Sequence, residues 1–135
     1  MKLKLFSVGK TKEAWLQAAI EEYQKRLQGD FEIKLFKDRY KLKEACDKEK
    51  RLVLLDPSGK VFTSEQFSEF LMKELELGGA SLTFVIGDAD GLPEGLEGAK
   101  VSLSKMTFTH QIARLVLVEQ VFRAFEIEKG SKYHK

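Results

Sequence analysis

The chain has 135 residues, 43% of them apolar, which is one domain's worth of sequence with enough Phe, Leu and Val for a buried core, so a single domain over residues 1–135 is expected. Its one cysteine, Cys46, excludes an internal disulfide and lacks the closely spaced partners of a zinc or iron-sulfur site. No apolar run reaches membrane length and Lys4 interrupts the first apolar stretch too early for a signal-peptide core, so a cytoplasmic protein, or the mature form of an organelle protein, is expected. The net charge of +2 conceals basic ends and an acidic middle: residues 1–60 carry 15 Lys or Arg against 10 Asp or Glu, residues 61–99 carry one against eight, and residues 100–135 carry seven against three, a distribution that suits a polyanion such as RNA.

Leu3, Leu5 and Val8 begin the chain as a strand, and Trp15, Ala18, Ala19, Tyr23 and Leu27 recur at helical spacing over about 12–28, closed by Gly29-Asp30. Phe31, Ile33 and Leu35 alternate as a half-exposed strand, and residues 41–50 read as a short charged helix. Leu52 to Leu55 is a continuous apolar strand that Asp56-Pro57-Ser58-Gly59 ends with a turn signal. Thr63 or Ser64 caps a helix bearing Phe67, Phe70, Leu71 and Leu75, which Gly78-Gly79 stops. Leu82 to Ile86 is the most buried-looking strand, Val101 and Leu103 suggest another, and a last helix spans about 110–128. Strands alternating with helices predict an α/β fold, a mainly parallel sheet of four or five strands with helices on both faces. The last helix is apolar nearly all round, with Ile112, Val116 and Ile127 in one sector and Leu115, Val118, Val121, Phe122 and Phe125 spread over another. It therefore needs a second cover, and a homodimer is the simplest.

The candidate chemistry gathers in the last third. Gly87 follows the buried strand, where a missing Cβ lets a ligand approach the backbone, and ligands of open α/β sheets sit at the carboxyl ends of strands. Asp88 and Asp90 resemble half a calcium loop without its remaining ligands, so no metal is expected. Ser104, Lys105, Met106, Thr107 and Thr109 make a polar loop, with Thr109 or Thr107 the N-cap of the last helix and His110 at its start. Glu119 and Arg123, four apart, can pair along that helix. Lys129, Lys132, Tyr133, His134 and Lys135 form a cationic tail with one aromatic ring, suited to stacking on a base and contacting phosphate. By themselves these features support a ligand-binding α/β dimer.

Phe84-Val85-Ile86-Gly87 with Gly91-Leu92, the block Leu103-Ser104-Lys105-Met106-Thr107-Phe108 with His110-Gln111, Val118-Glu119-Gln120-Val121-Phe122-Arg123-Ala124-Phe125 and the terminal Tyr133-His134-Lys135 resemble the RlmH family. The likeness runs end to end, through Met1-Lys2-Leu3, Val8-Gly9-Lys10, Leu55-Asp56 and Gly59-Lys60. Members are SPOUT-class methyltransferases that use S-adenosylmethionine to methylate N3 of a pseudouridine in large-subunit ribosomal RNA. The resemblance implies a C-terminal trefoil knot, a homodimer formed around it, and a methyl-donor site made by Leu55, Gly87, Leu103, Ser104, Lys105, Met106, Thr107 and Phe108. It also implies that Tyr133, His134 and Lys135 close over the donor site, that of the partner chain, and take part in catalysis; Arg114, Arg123 and Lys132 become candidates for RNA contact. Asp88 stands where the family pattern has a second glycine, Thr109 where it has a proline, and the segment from Leu35 to Arg51 is short. A catalytically idle RNA-binding relative and an adenine-nucleotide-binding module are the alternatives, distinguished from the enzyme by methyl transfer and by the preferred ligand.

Overall fold

In the computed structural model, which describes residues 2–79 and 81–135, five strands form one parallel sheet and four helices cover it. The strands are β1 (Lys2–Val8), β2 (Phe31–Phe36), β3 (Leu52–Val61), β4 (Ser81–Ile86) and β5 (Ala99–Ser102), in the order β2-β1-β4-β3-β5. The helices are α1 (Ala14–Arg26), α2 (Arg39–Cys46), α3 (Ser64–Gly78) and α4 (His110–Lys129).

Side chains alternate across each strand, and this divides the core into two layers. Leu3, Leu5, Val53, Leu82 and Phe84 face α1, α3 and α4, while Phe6, Leu52, Leu54 and Val85 face the opposite side, where α2 contributes Leu42 and Cys46. Each side chain so buried contributes about 1.5–3 kcal/mol relative to exposure. Cys46 is inert filling there, its thiol pushed up to about 12 by burial.

Local chemistry sets the helix starts. Of the two expected caps, Thr63 and Ser64, it is Thr63 that starts α3, in a reciprocal box with Gln66. The short charged helix lies earlier than the 41–50 expected: Asp38 accepts the amide of Lys41 and starts α2 at Arg39, and the chain turns off at Asp47. The largest difference is at Asp56-Pro57-Ser58-Gly59, where a turn was expected to end β3. Asp56 does fold back on Ser58, accepting its amide and hydroxyl at 2.9 Å each, but the strand resumes beyond it. Leu55 and Lys60 both align with Val101 of β5, so the four residues between them bulge out of the ladder. Gly59 permits the return, since a Cβ there would lie 2.6 Å from the backbone of Lys100 and Val101.

Candidate functional site

The carboxyl ends of β4 and β5, with the bulge in β3, open into a cleft of about 680 Å³, a size that accommodates a nucleotide-like ligand. The β3 bulge supplies Leu55, Asp56 and Pro57, the β4 exit supplies Ile86 to Ala89 with Gly91 and Leu92, and the segment from Ser102 to Gln111 forms the remaining wall with Ala113 of α4.

Each wall is held by short-range bonds. After β4 the chain makes a tight turn in which the Gly91 amide donates to the Asp88 carbonyl at 2.9 Å and Asp88 Oδ1 accepts the Asp90 amide at 2.9 Å. A Cβ on Gly87 would lie 2.2 Å from the carbonyl oxygen of Gly91. The glycine is therefore required by the turn folding back on its own backbone, rather than by an approaching ligand as the sequence suggested. Asp88 is not among the residues with positive φ, so its place in a glycine position is sterically ordinary. It faces Arg39 at 3.6 Å. On the opposite wall the Ser102 hydroxyl donates to the Ser104 carbonyl at 2.9 Å, and Ser104 Oγ accepts the Met106 amide at 3.0 Å, fixing the loop's curl. Thr109 then caps α4 by accepting the Ile112 amide, which leaves the His110 and Gln111 amides as donors without partners inside the helix.

The wall's electrostatics are one-sided. Among the described residues no Lys or Arg lines the cleft, and its acidic side chains are Asp56 and Asp88. The Asp56 carboxyl is held below its usual range by the Ser58 amide and hydroxyl. His110 is pushed below its ordinary value by burial first and then by Arg114 and Lys12, with Asp88 acting in the opposite direction. At neutral pH the histidine therefore adds no positive charge.

Of the residues implied as donor-binding, Leu55, Gly87, Leu103, Ser104, Met106, Thr107 and Phe108 come together on this cleft. Lys105 does not: it is exposed and outside the lining. Met106, 77% exposed, and Phe108, 38% exposed, form an uncovered lip. Asp56, Pro57, Ile86, Leu92 and Gln111 also line the cleft; none was expected there, and the available signal was that all but Pro57 fall in the stretches that carry the family resemblance.

Arg114 is wholly buried, which removes it from RNA contact. Its guanidinium donates to Ser7 Oγ at 3.1 Å, Thr11 Oγ1 at 3.0 Å and the carbonyls of Val8 and Gly9, and burial lowers its pKa to about 10. Arg123 is not a free cation either, since it pairs with Glu119 at 2.7 Å and meets His134 Nδ1 at 3.1 Å. Lys132 and Lys135 are exposed.

The tail lies away from the cleft of its own chain. Tyr133 packs edge-on against Phe122 with ring centroids 4.8 Å apart, donates to Glu119 at 2.7 Å and meets the Tyr23 hydroxyl at 3.3 Å. His134 Nε2 lies 3.4 Å from Glu65. The tail thus rests on α1, α3 and the second half of α4.

The family described as "Predicted SPOUT methyltransferase" matches residues 1–134. Among relatives named "Ribosomal RNA large subunit methyltransferase H", that of Protochlamydia amoebophila is 52% identical, covering 100% of this chain and 99% of the relative. That of Prochlorococcus marinus strain NATL2A is 42% identical over 98% and 94%. That of Symbiobacterium thermophilum is 35% identical over the full length of both. Among solved structures, Legionella pneumophila Lpg2936 with the cofactor SAM bound shares the fold at a TM-score of 0.51 and 12% identity, over 93% of this chain and 66% of that one.

Proposed function

We propose, from the premise that this chain belongs to the SPOUT methyltransferase family, that it is an S-adenosylmethionine-dependent enzyme methylating N3 of a pseudouridine in large-subunit ribosomal RNA. The observation that carries the reading is the cleft between the β3 bulge and the carboxyl ends of β4 and β5. Its apolar floor of Leu55, Ile86 and Leu103 suits an adenosyl group, and its carboxylates, uncharged histidine and lack of lining Lys or Arg suit a cationic sulfonium. Leu55, Gly87, Leu103, Ser104, Met106, Thr107 and Phe108 would hold the donor, with the curl from Ser102 to Met106 presenting backbone groups. When bound, S-adenosylmethionine supplies a methyl group already activated for displacement.

The protein's share of the chemistry is to align the acceptor, exclude water and favour the deprotonated nucleobase. Arg123, Tyr133 and His134 already form one cluster suited to this. Tyr133 stays a hydroxyl, because burial and its bonds to Tyr23 and Glu119 push its pKa well up, so it serves as a donor. His134 is the tail's candidate base, met at Nδ1 by Arg123, and Lys132 and Lys135 are the contacts for phosphate.

Distance favours a composite site. Gly130 caps α4, and at 1.5 Å per residue it stands about 25 Å from Ala113 on the cleft wall, whereas Ser131 to Lys135 span about 17 Å even when fully extended. The tail therefore closes the cleft of a second copy. Ile112, Val116 and Ile127, which share one sector of α4 and are half-buried, support a homodimer there. The reading includes a C-terminal trefoil knot within the dimer, one catalytic domain over residues 1–135, and a cytoplasmic location with ribosomes; no helix among the described residues is long and apolar enough to cross a membrane.

The test is incubation with ribosomes and labelled donor, followed by mass-spectrometric mapping of methylated pseudouridine. A new methyl at one pseudouridine is expected; ribosome binding without transfer would leave only an RNA-binding relative. Calorimetry should rank S-adenosylmethionine above ATP, and the reverse order would replace the reading with a nucleotide module.

A further inference from the structure

Two loops leave the sheet beside the cleft and take no part in the donor site. The ends of β1 and β2 lie side by side, with Val8 opposite Phe36 and the Gly9 amide donating to the Phe36 carbonyl at 2.9 Å. From β1 the chain runs through Lys10 and Lys12 into α1, and from β2 through Lys37 into α2. All three lysines are exposed, and none forms an ion pair among the described residues. Each loop delivers an aromatic side chain to the first turn of its helix, Trp15 at 60% exposure and Tyr40 at 80%. Because α1 and α2 pack on opposite faces of the sheet, the two rings flank the lysine-bearing edge. The acids nearby are Glu13, Asp38 and Asp88; Asp38 is engaged by the Lys41 amide and Asp88 by Arg39.

Both loops are tied to the cleft and held in shape. The Lys12 amide donates to Gln111 Oε1 at 2.9 Å and Arg39 Nη2 to the Leu92 carbonyl at 3.0 Å, and Gln111 and Leu92 both line the cleft. The first loop is also gripped from below by Arg114, a fully buried guanidinium with no carboxylate partner, through Val8, Gly9 and Thr11. Burying a charge without a counter-charge is expensive, and here its hydrogen bonds are spent on a surface loop. A large exposed indole and phenol among unpaired cations is the composition of a surface that stacks unpaired bases and follows a backbone.

We propose that this rim docks unpaired RNA flanking the target nucleotide, with Lys10, Lys12 and Lys37 on phosphates and Trp15 and Tyr40 stacked on bases. The proposal rests on the reading of large-subunit RNA as substrate and assigns that RNA a path across the β1 and β2 side of the cleft.

The test compares the full-length protein with the triple variant Lys10→Ala/Lys12→Ala/Lys37→Ala and with Trp15→Ala and Tyr40→Ala. It measures ribosomal RNA binding over a salt series, methyl transfer to ribosomal RNA from labelled donor, S-adenosylmethionine affinity by calorimetry and mass in solution. The triple variant should flatten the slope of log affinity against log salt by roughly 2 to 3, since each phosphate contact contributes about 0.7–0.9. Each aromatic replacement should weaken RNA binding about tenfold, with donor affinity and mass unchanged. RNA affinity and salt slope equal to wild type would overturn the proposal, as would aromatic variants that lose only self-association, which would make the rim a protein interface. RNA binding that these variants weaken in a protein that transfers no methyl would uphold the rim and sink the methyltransferase reading instead. Full transfer by variants with wild-type RNA affinity would do the opposite.

Discussion

The hydroxyl of Tyr133 donates to Oε2 of Glu119 at 2.7 Å, and Arg123 reaches that same oxygen at 2.7 Å. Burial by itself would raise the Glu119 pKa, but the bonds from Arg123, Tyr133 and Gln120 outweigh it and hold the carboxyl below its ordinary value. The carboxylate therefore organises the tail at neutral pH. Tyr133→Phe removes one charge-assisted bond and should destabilise the folded state by about 1.5 kcal/mol, the low end for such bonds because Arg123 keeps Glu119 partnered. Deleting Tyr133 to Lys135 should abolish methyl transfer while leaving donor binding within about twofold, because the residues that line the cleft all lie outside the tail. Calorimetry beside a transfer assay checks both, and full activity in the truncated protein would refute the tail's role.

Gly87→Ala tests the turn that forms one wall. A Cβ 2.2 Å from the Gly91 carbonyl oxygen forces the backbone of the turn to move, which should cost about 1–3 kcal/mol as overpacking. It should also weaken donor binding, because Asp88, Gly91 and Leu92 would shift with it. Thermal unfolding and donor titration measure the two effects. Wild-type stability would mean that the turn yields more easily than its geometry implies.

The legible parts of the chain were those where local pattern and final environment agree. Leu3 and Leu5 alternate as a strand should and are both buried, and Thr63 announces α3 one residue before it begins. Pro57 misled because turn chemistry is local, whereas the force that restores β3 is pairing with β5 some forty residues later. Arg114 misled for a similar reason. Sequence gives its charge but not that its partners are Ser7, Val8, Gly9 and Thr11, about a hundred residues away. Asp38 was overlooked as a cap because the segment around it is charged throughout. Within the loop from Leu103 to Phe108, the exposed Lys105 leaves the wall that Ser104 and Met106 keep, a distinction set by the curl of the loop.

Thr109 occupies the position where the family pattern has proline, and in this chain its side chain caps α4. Thr109→Ala should cost about 1 kcal/mol, the usual loss on removing a threonine cap. Thr109→Pro should cost less, because the φ of −62° already fits proline and the restricted unfolded chain recovers about 0.4–1 kcal/mol. Chemical denaturation of the three proteins gives the order; a proline variant less stable than the alanine variant would show that the wall needs the threonine amide.

His110 gives the site its pH dependence. Its pKa is lowered by burial first, then by Arg114 and Lys12, so in acid the unfolded chain takes up a proton before the folded one does. Stability from this residue is therefore fully present above about pH 6.5 and is lost as the pH falls from there through the lower folded value. Protonation would also place a cation on a wall whose charged side chains are otherwise Asp56 and Asp88, directly opposing a sulfonium. Donor affinity should accordingly weaken on acidification through the same interval, whereas His110→Asn, which keeps a polar side chain but cannot titrate, should show a flatter profile. Calorimetric titrations of both proteins between pH 8 and pH 5 remove the donor's own ionisation, which is common to the two. Parallel profiles would mean that His110 keeps its charge state throughout and that the wall's electrostatics are set by the carboxylates alone.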